Sequence, residues 1–241
     1  MRQFRVGRVA DIPLRMDVSV VVVSATIAAI VAILAGDWAE ILNLSAGTDL
    51  DSERLGTGMV PWLLGVVTAV LLLASLLGHE LGHCLAARRY GLAVESITFW
   101  LFGGAARIQT TPATWRQEAA ISLAGPVASL LSGLAATVAF LALAPGGTTL
   151  ADSFLFVLGY LVVMNLGLAA LNMIPVVPVD GGQAIRAVLS RSRPYSAATK
   201  LTAAISVGLA GTLALAGIAL SLYALVWLAL FLIAGALVGM R

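Results

Sequence analysis

His79-Glu80-Leu81-Gly82-His83 sets two imidazoles four positions apart with a carboxylate beside the first. On a helix, positions i and i+4 share a face, so both rings can reach one metal ion. Glu80 can then take a proton from metal-bound water. Imidazole and carboxylate donors favour zinc, which stays redox-silent, and one ion per chain is expected. The competing reading is a pair of histidines ending a helix at the cytoplasmic interface beside Arg88 and Arg89. That reading gives Glu80 no task, and a carboxylate deep in an apolar helix is costly.

A catalytic zinc needs a third protein ligand and an open position for water. No third histidine exists. Asp11 and Asp17 sit in a basic N-terminal arm and read as solvated. Glu95 can pair with the two arginines before it. Glu118 falls in the first turn of a span, where a carboxylate suits the helix dipole. Asp180 follows a proline-containing segment and has two glycines behind it, with no base nearby until Arg186. Its competing role is an Asx turn or a cap for a helix from Gln183. Asp180 is taken as the ligand.

Other polar residues must be weighed too. Asn165 and Asn172 lie on one face of the fourth span. Asn172 either donates to a substrate carbonyl or oxyanion or satisfies freed backbone carbonyls, while Asn165 reads as packing. Gly125, Ser129 and Gly133 form a small-residue stripe suited to helix packing. Cys84, the single cysteine, points off the His79/His83 face and reads as packing; it excludes an intrachain disulfide.

The surroundings of these residues are apolar. The chain has 241 residues, 60% hydrophobic and 11% charged, with a mean hydropathy of +1.01. Soluble domains carry about 25% charged residues, so a soluble enzyme, a disordered chain and a nucleic-acid binder are excluded. The pattern predicts an all-α polytopic protein with six spans. The spans run from about Val18 to Ala35, Pro61 to beyond Leu77, Gln117 to Leu143 and Phe154 to Leu171, and the tract Leu201–Met240 is split near Gly217 to Ser221. The first span is too long for a cleavable signal. Of the 14 basic residues only Arg54 lies in the acidic 37–58 loop. By the positive-inside rule that loop faces outward and both termini are cytoplasmic. His79 follows Pro61 by about 27 Å of helix, which puts the site near the cytoplasmic boundary of the bilayer.

Two connections are unusual. Residues 94–111 are rich in Ile, Thr, Phe and Trp, and Gly103-Gly104 suits a tight turn. They predict a small membrane-dipping β-hairpin between spans two and three. Thr114 and Gln117 then read as a capping box. Residues Asn172 to Gly182 cannot continue a helix, and broken backbone at membrane depth must line a cavity or lie in protein.

The HELGH motif, the NMIPVVPVDGG segment about 90 residues later, and the LFGGAARI and EAAISLAGP stretches between them resemble the site-2 protease family of intramembrane zinc metalloproteases. The resemblance implies His79, His83 and Asp180 as zinc ligands, Glu80 as the catalytic glutamate and Asn172 as an active-site asparagine. It implies a six-helix membrane domain over residues 1–241 with a β element by the active site. It also implies a transmembrane protein substrate, such as an anti-sigma factor or another membrane-held regulator. No connection is long enough for a PDZ-like insert, and no CBS-type domain follows the last span, so a minimal form is expected.

The reading is therefore an intramembrane zinc endopeptidase that cuts a peptide bond within or near a transmembrane segment. Its partners are the lipid bilayer and a membrane substrate, with no nucleic acid and with room for a homo-oligomer. The alternative is a divalent-metal transporter using the His/Glu site for ion transit; the absence of histidine-rich loops argues against it. A catalytically dead binding protein is a third reading, opposed by the intact HELGH. Thirteen arginines against one lysine hint at a GC-rich bacterial genome, and a multi-pass plasma-membrane location is expected.

Overall fold

The computed structural model describes residues 3–101, 103–143 and 147–238. The elements run β1 (Gln3–Val9), β2 (Ile12–Asp17), α1 (Val18–Ile33), α2 (Ala35–Ala46), α3 (Ser52–Gly56), α4 (Val60–Arg89), β3 (Val94–Trp100), β4 (Gly103–Ile108), α5 (Trp115–Ala142), α6 (Thr149–Asn172), α7 (Asp180–Leu189), α8 (Tyr195–Ala219) and α9 (Tyr223–Val238). Among the described residues four helices, α4, α5, α6 and α8, are long and apolar enough to cross a membrane. A fifth span is available if α1 and α2, bent by 66°, count as one. Helix α9 has 16 residues, about 24 Å of helix against a hydrocarbon core of about 30 Å. The long helices are apolar on every side, and their outer faces still carry Val66, Val70, Leu131, Val138 and Leu215 exposed. Water does not tolerate such faces; lipid does.

The chain forms two compact units. The first comprises residues up to Leu81, Glu95–Arg107 and Ala128–Gly167. Its core joins Ala35, Ala39 and Leu42 of α2 and Leu55 of α3 to Leu64, Phe140, Leu155, Phe156 and Tyr160. The 37–58 segment is thus two short helices rather than the loop expected. In α2, Ala35, Ala39 and Leu42 recur at helical spacing and are buried, with Asp37 and Glu40 between them. Close approaches hold the long helices together: a Cβ on Gly65 would stand 2.1 Å from the Ala28 carbonyl oxygen, and one on Gly133 would stand 2.7 Å from Leu166. At Gly133 the small-residue stripe is therefore a packing face.

A four-stranded sheet in the order β1-β2-β3-β4 belongs mainly to this unit. Strands β1 and β2 pair antiparallel, with Val9 opposite Ile12 and the two turn residues Ala10 and Asp11 at φ 48° and 61°. That is the two-residue hairpin geometry. Strand β2 runs parallel to β3, with Leu14 opposite Ile97. The β element is thus larger than the expected hairpin, and the N-terminal arm is half of it. Asp17 is not solvated as expected: it is buried, and its carboxylate accepts from the Ser19 N–H at 2.9 Å as the N-cap of α1. Glu95 bridges Arg15 at 3.6 Å and Arg107 at 4.0 Å rather than the arginines before it.

The second unit comprises Gly82–Val94, Ile108–Val127 and residues from Leu168 onward. Thr114 caps α5: the Gln117 N–H donates to its Oγ1 at 3.3 Å, and the Gln117 side chain accepts from the Ala113 N–H at 3.0 Å. Helices α8 and α9 part at Leu220–Leu222, within a residue of the expected split. A Cβ on Gly217 would stand 3.0–3.1 Å from Leu225 and Val226, so the glycine lets the two helices fold back closely. Their shared core gathers Val176, Ala210, Ala229 and Leu232.

Candidate metal centre and catalytic glutamate

Helix α4 runs unbroken from Val60 to Arg89, so its own geometry fixes His79, Glu80 and His83 relative to one another. All three are buried. In both histidines the Nδ1 atom is engaged by protein. His83 Nδ1 lies 2.7 Å from the Ile121 carbonyl oxygen. A carbonyl only accepts, so Nδ1 carries a proton, and in the neutral ring Nε2 presents a lone pair. Pro126 lies inside α5. It removes the donor that would have served the Ser122 carbonyl, next to the Ile121 carbonyl that meets His83. His79 Nδ1 lies 2.9 Å from Ser129 Oγ, a hydroxyl able to accept the same proton. The two rings thus turn their Nε2 atoms to the same task.

Asp180 opens α7. It is the first helical residue, not the cap of a helix from Gln183. Gly181 and Gly182 follow because the chain doubles back on itself. A Cβ on Gly181 would stand 2.4–2.6 Å from the Met173 and Ile174 carbonyls, and one on Gly182 would stand 2.4 Å from Val176 and Val177 backbone. The 173–179 segment is held in turn by α8 and α9. The Val177 N–H donates to Ser206 Oγ at 2.8 Å, and Pro178 packs on Gly235, where a Cβ would meet it at 2.6 Å. The Val177–Pro178 peptide bond is cis.

This local framework leaves Asp180 Oδ2 3.3 Å from His83 Nε2. The donor atoms of His79, His83 and Asp180 all lie within 4.8 Å of one another, and no other such group of His, Cys, Asp or Glu occurs among the described residues. Ligands bound about 2.0–2.2 Å from a tetrahedral zinc stand roughly 3.3–3.6 Å apart. A charge-assisted N–H···O bond would bring the pair to about 2.7–2.9 Å. In the neutral ring the His83 Nε2 lone pair and the Asp180 carboxylate are both donors suited to a small divalent cation. The donor set of two imidazoles and one carboxylate therefore fits zinc.

Glu80 has a neighbour that the motif does not announce. Gly104 of β4 lies against it, so that a Cβ there would stand 2.7 Å from the glutamate Cγ and 2.9 Å from Oε1. Glu118 serves elsewhere. Its Oε1 accepts from Arg186 Nε at 2.8 Å and pairs with Nη2 at 2.6 Å, and the same guanidinium covers the Tyr195 ring. This buried ion pair ties the start of α5 to α7, the helix that Asp180 begins. Asn172 ends α6, and its amide donates to the Leu168 carbonyl at 2.9 Å, the backbone-satisfying alternative. Asn165 donates to Ser75 Oγ and to the Leu161 carbonyl, both at 3.0 Å. Cys84 is fully buried. Sequence reasoning missed Ser129 and Gly104: the first passed as helix packing, the second as turn.

The sequence model of peptidase family M50 matches residues 67–146 and 141–216, a span that contains the HELGH helix and Asp180. The chain belongs to peptidase family M50. Among solved structures, this M50 chain is similar to the site-2 protease from Methanocaldococcus jannaschii, with a TM-score of 0.63 and 26% identity over 100% of this chain and 96% of that one. A zinc metalloprotease of the same archaeon is 34% identical over 172 residues, 70% of this chain and 48% of the relative. A Synechocystis protein provisionally named a zinc metalloprotease is 38% identical over 152 residues, 62% of this chain and 38% of the relative. A Mycobacterium tuberculosis protein of similar provisional name is 44% identical over 133 residues, 55% of this chain and 33% of the relative. The M50 chain thus matches between a third and a half of the length of these curated relatives.

Proposed function

We propose that the chain is an intramembrane zinc endopeptidase that hydrolyses a peptide bond within or near a transmembrane segment of a membrane-bound protein. The observation that carries the reading is the 3.3 Å approach of Asp180 Oδ2 to His83 Nε2, with His79 in the same group and Glu80 on the same helix. His79, His83 and Asp180 hold one zinc ion in this account. Bound there, zinc would polarise the scissile carbonyl and lower the pKa of a bound water towards about 7. Glu80 takes the proton of the attacking water and delivers it to the leaving amine nitrogen.

Asn172 donates to the substrate carbonyl as it gains negative charge. Its support is its position at the end of α6, directly before the segment that leads to Asp180. A helical substrate must unwind to offer its carbonyl. Strand β4 ends the sheet among the described residues, and its outer edge suits an added substrate strand.

Residues 1–241 act as one protease domain with six spans, α9 included, and both termini are cytoplasmic, as the lysine and arginine bias supports. The β3–β4 hairpin dips into the membrane. The substrate is a membrane-held regulator of the anti-sigma-factor kind, and the membrane is a bacterial plasma membrane.

Glu80→Gln tests the assignment. The variant should keep one zinc per chain and lose cleavage of a co-reconstituted membrane substrate. Loss of zinc would make Glu80 a ligand, and retained cleavage would remove it from the mechanism. Zinc flux through liposomes without cleavage would point to the transporter instead.

A further inference from the structure

We propose that the cleft between α1, the middle of α4, the end of β3 and the start of β4 receives an apolar substrate side chain flanking the scissile bond. It would select a residue of leucine or phenylalanine size at that position. The inference rests on the protease reading above and names the substrate chemistry of the same site.

The cleft is a space of about 270 Å³ whose walls include Ile27, Leu73, Leu76, Phe99, Trp100 and Gly103. Three observations join it to the reacting end of Glu80. Leu73, Leu76 and Glu80 stand at i, i+3 and i+7 on α4, one continuous helical stripe. Gly103 lines the cleft, and the next residue, Gly104, lies against the Glu80 side chain. The lining residues of α4 run from Ala69 to Leu76, between the Gly65–Ala28 contact and Glu80, so the space lies on the Glu80 side of that contact.

Size and polarity define the occupant. A dry cavity of about 150 Å³ lined by Leu, Ile and Phe already admits benzene, so this one admits a whole leucine or phenylalanine side chain. Its walls are hydrocarbon apart from the Ser24 hydroxyl and the Trp100 indole, and a charged side chain there would be desolvated without a partner. A transmembrane substrate supplies leucine and phenylalanine in abundance. Glycine or alanine at that position would leave the space unfilled and forfeit the burial.

The zinc-loaded protein in proteoliposomes is given transmembrane peptides in which each residue flanking the mapped cleavage point is varied among Gly, Ala, Leu, Phe and Glu. One position should favour Leu or Phe over Gly and Glu by at least about 10-fold. Val23→Trp, which fills the cleft from its α1 wall, should shrink that ratio below about 2-fold by slowing the Leu and Phe peptides more than the Gly peptide. Photo-leucine scanned along the peptide and bound to Glu80→Gln should label residues 20–27, 99–101 or 103. An unchanged preference in zinc-bearing Val23→Trp, or label only elsewhere because lipid fills the cleft, overturns the pocket. The labelling reads the pocket whether or not a bond is cut. Labelled pocket residues with no cleavage would sink the protease reading alone; cleavage with label elsewhere would sink the pocket alone.

Discussion

Gly104 presses its backbone onto the side chain of Glu80, leaving no room for even a methyl group between the strand and the carboxylate. The sheet thus sets where the proposed proton acceptor can stand. Gly104→Ala would push Glu80 aside without touching the histidines. The variant should bind zinc normally and cleave about 100-fold more slowly, since misplacing a reacting group by about 1 Å costs that much. Cleavage rate and zinc content measured on one preparation check this; wild-type cleavage would show that Glu80 does not need the strand.

Ser129 stands 50 residues from His79 in sequence and 2.9 Å from it in space. Ser129→Ala removes the acceptor that orients the ring. Zinc affinity should fall about 10–100-fold, the usual effect of losing such a partner, with the fold intact because the side chain becomes smaller. Chelator competition on the purified variant reads the shift. Unchanged affinity would return Ser129 to a packing role.

The orientation of the spans is open to labelling in a Cys84→Ala background. Asp49→Cys should react with an impermeant reagent from outside the cell and Ser192→Cys only from inside; both side chains are exposed, whereas the adjacent Leu50 is buried. Reaction of both from one side would break the proposed six-span topology.

The grouping of the candidate site was legible where it is local. Two histidines at i and i+4, and an aspartate before two glycines in a segment no helix can cross, each carry their reason in a few residues. So do the Thr114 cap and the break after Ala219. What escaped depends on distant contacts or weak local signals. The Ala10–Asp11 turn adopts positive φ without a glycine, so β1 and β2 read as a charged arm. Helix α2 hides its buried Ala35, Ala39 and Leu42 among acidic residues that the charge pattern assigned to a loop. Glu118 looked like a helix-dipole carboxylate because nothing nearby in sequence reveals Arg186, 68 residues on. Ser129 and Gly104 serve His79 and Glu80 only through tertiary packing, and no spacing rule announces that.

The central claim is that Asp180 completes a zinc site with His79 and His83, and zinc affinity of Asp180→Ala beside Glu118→Gln tests it most directly. Glu118→Gln is the suitable control because an amide oxygen can still accept from Arg186, whereas losing the side chain would leave a partly buried guanidinium without its carboxylate. The account predicts that Asp180→Ala loses more than about 100-fold in zinc affinity, beyond the range for an indirect partner, and loses cleavage with it, while Glu118→Gln keeps its zinc. Normal zinc binding by Asp180→Ala together with loss of zinc from Glu118→Gln would contradict the account and move the third ligand to the start of α5.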